Sequence, residues 1–220
     1  MEFWKTDLSL FSDIEDYKYK PHFIEYEKMR MHYIDEGEGI CYLALHGEPT
    51  WSYLYRHFIE ELKPCRFIAP DLLGFGKSDK LKNWQDYSFE FHFNSLVRLI
   101  KTLELKNINL IVQDWGGLLG LSLVGAFPEL FDRLIIMNTF LPSGKSLPIA
   151  FKLWQLYSRY HPSLPVGKII QKNTFNQLDD KVIQAYEKPF PDKTLKTGPK
   201  SFPSLVPTNK QDPAVPYLLK

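Results

Sequence analysis

The chain has 220 residues, 44% of them hydrophobic and 24% charged, with a formal net charge of +1 at pH 7. That length supports one sizeable core with room for an inserted subdomain, and the composition is that of an ordinary soluble globular protein. So small a net charge gives no drive toward nucleic acid or an anionic membrane, and no run approaches the ~20 apolar residues needed to span a bilayer.

Two cysteines, Cys41 and Cys65, cannot build a disulfide framework and stand in no metal-type spacing. Each flanks an apolar run, which reads as a buried, inert thiol. Residues 1–17 are mixed and acidic, without the basic start or apolar stretch of a signal peptide, so a reduced, cytoplasmic setting is expected.

In chain order, residues 23–26 and 30–34 alternate apolar and polar side chains around Glu27-Lys28, the pattern of an antiparallel hairpin. Short continuous apolar runs follow at 40–45, 67–69, 108–112 and 134–137, suited to strands buried on both faces of a parallel sheet. Between them, Phe89, Phe93, Leu96, Val97, Ile100 and Leu103 fall on one face of a helix. Residues 118–127 are apolar all round, as in a helix covered on both sides. Alternating strand and helix give an α/β class with right-handed crossovers. Beyond Asn138 six prolines fall within residues 142–191 and the strand-like runs disappear, which predicts a helical insertion.

Three loops carry chemistry. After the first buried strand comes His46-Gly47-Glu48-Pro49-Thr50-Trp51, where a glycine permits a tight turn and backbone N–H groups can face a developing oxyanion. Asp71-Leu72-Leu73-Gly74-Phe75-Gly76-Lys77-Ser78-Asp79 invites a dinucleotide reading, but the third glycine position is Asp79 and no helical pattern opens there. It reads instead as a loop at the C-terminal edge of the sheet. The third, Ile111-Val112-Gln113-Asp114-Trp115-Gly116-Gly117-Leu118, runs an apolar strand into Asp114 and a glycine-rich helix out of it. This is the layout of a nucleophile elbow, with Asp in place of Ser and Val112 in place of the first glycine. The alternative is that Asp114 merely caps the helix, which Asp does well.

With these motifs in place the sequence resembles the haloalkane dehalogenases over nearly its whole length, in residues 45–56, the elbow at 113–117 and the insertion at 138–216. Glu48 places the resemblance in the branch with Glu in the first oxyanion loop. The resemblance implies an α/β-hydrolase fold with core residues 1–138, a helical cap at 139–216 and the start of a return to the core at 217–220. Asp114 would be the nucleophile, with the backbone N–H groups of Glu48 and Trp115 as oxyanion hole. Trp115 and Trp154 would bind halide, and Phe202 and Pro203 would line the pocket. Carboxylate suits an sp³ carbon because it attacks without deprotonation. Departing halide needs hydrogen-bond donors in an apolar cavity, and indole N–H groups only donate. The implied partners are a small halogenated alkane, halide and water, with no cofactor or metal and a monomer once the fold is complete.

The hydrolytic half requires a histidine base and its acid, which in this fold follow the nucleophile. Of His22, His32, His46, His57, His92 and His161, only the last follows Asp114, and Tyr160-His161-Pro162 reads as cap surface. Asp179, Asp180, Asp192 and Asp212 lie in the cap or at its exit and none is nominated as the triad acid. The expectation is a chain that stops before the last strands, with turnover lost. Two alternatives stay open. One is an epoxide hydrolase of the same fold, using Tyr157, Tyr160 or Tyr186 as acid; the other is an inactive product of a disrupted gene.

Overall fold

A hairpin opens the main sheet. In the computed structural model, which describes residues 1–142, 144 and 147–219, β1 is Phe3–Trp4, β2 His22–Tyr26 and β3 Met29–Glu36. β2 and β3 pair antiparallel with Phe23 opposite His32. Glu27 and Lys28 turn the chain with φ of 49° and 66°, the positive values that match a two-residue loop to the strand twist, here without the usual Asn or Gly.

The chain continues through β4 (Cys41–Leu45), α1 (Arg56–Glu61), β5 (Arg66–Pro70), β6 (Lys80–Leu81), α2 (Phe89–Thr102), β7 (Ile108–Gln113), α3 (Trp115–Ala126) and β8 (Phe131–Met137). The six-stranded sheet has the order β2-β3-β5-β4-β7-β8. β3 meets β5 antiparallel, while β5, β4, β7 and β8 run parallel, so this is the α/β hydrolase architecture with a mostly parallel sheet. Each apolar run read from the sequence lies within or overlaps one of these strands.

The helices follow from their patterns. α2 starts at Ser88, whose hydroxyl accepts from the Phe91 N–H at 3.0 Å, and buries Phe89, Phe93, Leu96, Leu99 and Ile100. α3 buries Leu118, Leu119 and Leu123 and has no polar face. One feature went unread in the sequence, and the reading of both cysteines as buried is corrected for one of them. β1 pairs antiparallel with β6, joining the N-terminus to the 71–79 loop, and Cys65 is only half-buried, unlike Cys41.

Beyond β8 the described residues form α4 (Ile149–Tyr160), α5 (Val166–Lys172), α6 (Asp180–Glu187), α7 (Thr197–Leu205) and α8 (Val215–Leu218). They dock on the core through buried polar contacts. The Trp51 indole donates to Ala185 O at 3.2 Å and the Thr197 hydroxyl to Leu81 O at 2.7 Å. Tyr217 of α8 packs against Phe93 and Phe89 at ring separations of 5.0 and 5.7 Å. No helix among the described residues is long and apolar enough to cross a membrane.

Candidate active site

β4 and β7 are adjacent and parallel, with Leu45 opposite Val112, so their C-terminal ends deliver His46-Gly47-Glu48 and Asp114 to the same edge of the sheet. Asp114 has φ 51° and ψ −122°, and its side chain makes no capping hydrogen bond to α3. Asp114 thus stands at the N-cap position without the side-chain capping bond that the helix-cap alternative calls for. A non-glycine residue in this region stores strain, of order 1–3 kcal/mol, and such strain collects at functional positions. The sharp turn is possible because the chain crosses close by at two points. A Cβ on Gly116 would strike Leu45 O, and one on Gly47 would strike the Asp114 side chain.

The turn aims the carboxylate at backbone donors. The Glu48 N–H donates to Asp114 Oδ1 at 2.7 Å, and the Trp115 N–H also supports the carboxylate. Behind the elbow, the Thr139 hydroxyl donates to Asp114 O at 2.7 Å, and the Asp114 N–H donates to Asn138 O at 3.2 Å. Sequence reasoning missed Asn138 and Thr139. Their signal is the parallel register that sets Gln113 opposite Met137, which puts the next residues side by side.

Burial raises the Asp114 carboxyl above the usual aspartate range, and the N–H groups of Trp115 and Glu48 draw it part of the way back. Glu48 is pushed up much further, by burial first and by the neighbouring Asp114 second. Its Oε1 is buried without a partner among the described residues. Of the two carboxyls, Glu48 is thus the harder to ionise.

The raised Asp114 value bears on stability. An acid whose pKa is higher folded than unfolded loses stability as pH rises from the unfolded pKa through the folded one, so ionised Asp114 burdens the fold above that window. Asp114→Asn keeps an acceptor for Glu48 and removes the charge. The expected result is a higher Tm for the variant than for the parent above that window. Thermal unfolding above the window checks it, and a lower Tm for the variant would contradict it.

A cavity of about 640 Å³ opens over the carboxylate, lined by Glu48, Leu54, Gln113, Asp114, Asn138 and Trp154 among others. Asp114, Glu48 and Trp154 thus share one space, Trp154 reaching it from α4. Trp115 and Phe202 pack on each other at 4.6 Å, with Phe75 at 4.6 Å from Phe202 on the core side. Pro203 lies within α7, its carbonyl accepting from Gln155 at 2.7 Å. Trp51 has spent its indole N–H on Ala185.

Residues 43–178 match the model of the alpha/beta hydrolase fold family. A haloalkane dehalogenase of Mycolicibacterium paratuberculosis is 42% identical over 226 residues, covering 98% of this chain and 75% of that protein. One of Psychrobacter cryohalolentis is 43% identical, covering 97% of this chain and 74% of its own length. Among solved structures, the tetrameric haloalkane dehalogenase DpaA from Paraglaciecola agarilytica superposes with a TM-score of 0.93 at 41% identity, over 100% of this chain and 76% of that one.

Proposed function

This chain belongs to the haloalkane dehalogenase family of the α/β hydrolase fold, and we propose that Asp114 attacks a small haloalkane to form an alkyl ester. The observation that carries this reading is the Asp114 carboxylate, strained at its elbow, held by the Glu48 N–H and opening on a cavity shared with Trp154. One carboxylate oxygen forms a bond to the sp³ carbon as the carbon–halogen bond breaks, and halide leaves with the electron pair. Trp115 and Trp154 are the donors assigned to it, since a bare anion in such a cavity is costly. Trp115, Phe202 and Pro203 are not among the residues that line the cavity; their assignment to halide and pocket rests on the resemblance, with Phe202 packed on Trp115 and Pro203 joined to α4 through Gln155. Turnover beyond that ester requires water to add to its carbonyl carbon, the developing oxyanion being assigned to the Glu48 and Trp115 N–H groups, and a base that none of the described histidines supplies at the cavity. Collapse returns the carboxylate and releases alcohol and a proton. No cofactor enters this scheme. The epoxide alternative calls for a phenol at the cavity; the cap residue that does line it is Trp154, while Tyr157, Tyr160 and Tyr186 do not.

Alkylation of Asp114 by 1,2-dibromoethane, located by peptide mass mapping, tests the reading. Only the ionised carboxylate attacks, and Asp114 sits above the usual range. The alkylation rate should therefore climb with pH through a midpoint higher than that of an ordinary aspartate, about 3.9. Alkylation elsewhere, or none, would remove Asp114 as nucleophile.

A further inference from the structure

The 71–79 loop holds no nucleotide reading and no place in the chemistry above, yet its first residue is a fully buried carboxylate that accepts four hydrogen bonds. Asp71 Oδ1 accepts from the Ser52 N–H at 2.8 Å and the Ser52 hydroxyl at 2.5 Å. Asp71 Oδ2 accepts from the Lys77 N–H at 2.7 Å and from His32 Nδ1 at 2.8 Å. Its backbone is tied as well, the N–H donating to His32 O at 2.9 Å and the carbonyl accepting from the Ser78 hydroxyl at 2.6 Å. Burial works to raise this carboxyl, but the His32 ring and the hydrogen bonds from His32 and Ser52 outweigh it and hold it well below the usual range.

These bonds fix the peptide plane between Asp71 and Leu72, and the Leu72 N–H donates to His46 Nε2 at 2.9 Å. That bond makes Nε2 the acceptor, so Nδ1 carries the hydrogen and donates to Gly47 O at 2.9 Å. Gly47 O also accepts from the Thr50 N–H at 2.9 Å and the Thr50 hydroxyl at 2.8 Å. The Gly47 carbonyl belongs to the same peptide group as the Glu48 N–H that holds Asp114. Because the peptide is planar, fixing the carbonyl fixes the direction of the N–H.

We propose that Asp71 is a positioning residue for the nucleophile, acting through Leu72, the Nδ1–H tautomer of His46 and the Gly47–Glu48 peptide to aim the N–H that holds Asp114. The proposal rests on the dehalogenase reading for its kinetic consequence but not for its geometry. Asp71→Asn places an amide N–H against protein donors and loosens the 71–72 peptide. Ser78→Ala deletes one hydroxyl from the same peptide and removes no charge. A misplacement of about 1 Å at a reacting group can cost about 10²-fold in rate.

Both variants should slow alkylation of Asp114 by 1,2-dibromoethane, Asp71→Asn by about tenfold or more and Ser78→Ala by less. Losing part of the Glu48 N–H bond also makes the carboxylate harder to ionise, so the pH midpoint of alkylation should move upward. Bromide affinity, read by tryptophan fluorescence quenching, should hold within about twofold, since it depends on indole donors. A merely structural Asp71 would leave the midpoint unmoved. Unchanged rate and midpoint in a folded Ser78→Ala protein overturn the proposal, as does a loss of bromide binding in step with rate. Nitrogen-15 histidine spectra give a reading independent of chemistry. The Nδ1–H form of His46 should dominate in the parent and lose dominance in Asp71→Asn, or in Ser78→Ala should Asp71→Asn fail to fold. A parent that never alkylates sinks the dehalogenase reading alone; a parent with His46 protonated on Nε2 sinks the relay.

Discussion

Incubated with 1,2-dibromoethane, these 220 residues should release one bromide per chain and then stop, with the bromoethyl group retained on Asp114. Displacement needs a carboxylate and halide donors. Hydrolysis of the ester needs a water deprotonated by a base, and general-base help is worth about 10²–10⁴-fold. None of the described histidines is free for that work at the cavity. His46 has committed both ring nitrogens, to Leu72 and Gly47. His32 is buried against Asp71. His92 is enclosed by Tyr87, Phe91 and Phe202, and burial holds it down at about 3. In His161, Nδ1 accepts from the Leu164 N–H at 2.7 Å. His22 stands on β2 against Tyr33 and His57 on α1, and neither lines the cavity over Asp114. Bromide release followed by ion chromatography, beside intact mass, checks the stoichiometry, and Asp114→Asn should show neither bromide nor adduct. Sustained release beyond one equivalent would mean that some residue at the cavity serves as base and would overturn the stall.

The elbow was legible in the sequence because its parts are contiguous, an apolar strand, Asp114 and two glycines. The hairpin was legible from alternation alone, although Glu27-Lys28 carries none of the residues that usually announce a tight turn. What escaped depends on contacts distant in the chain. β1 is two residues long and meets β6 across more than 70 positions, too short for any period to register. Thr139 reaches the elbow because β8 runs parallel to β7, a fact of sheet order. Asp71 was read correctly as part of a loop at the sheet edge, but its four side-chain donors come from three separate segments. Trp154 could be assigned to the site only by resemblance, since nothing in the spacing of α4 says which of its faces opens on the cavity.

These 220 residues should also self-associate, and two lysines on β8 should reverse it. β8 ends the sheet and pairs only with β7 among the described strands. Central strands of parallel sheets are normally covered on both faces, yet Leu134, Ile135 and Ile136 are 42%, 41% and 52% exposed. Alternation puts Leu134 and Ile136 on one face and Ile135 on the other, so both faces and the hydrogen-bonding edge are open together. An apolar edge of this kind is a template for another chain. Full burial of a Leu or Ile side chain is worth about 1.5–3 kcal/mol, so covering the exposed half of three amounts to roughly 2–4 kcal/mol per copy. Sedimentation velocity should show dimers and larger species whose proportion rises with concentration. Leu134→Lys with Ile136→Lys sets like charges on each β8 while leaving the β7-facing backbone bonds intact, and the distribution should move to monomer. Ile135→Lys, on the opposite face, should act in the same direction with about half the effect. Parent protein that sediments as a single monomer and unfolds cooperatively at a concentration-independent Tm would show that the open β8 edge recruits nothing.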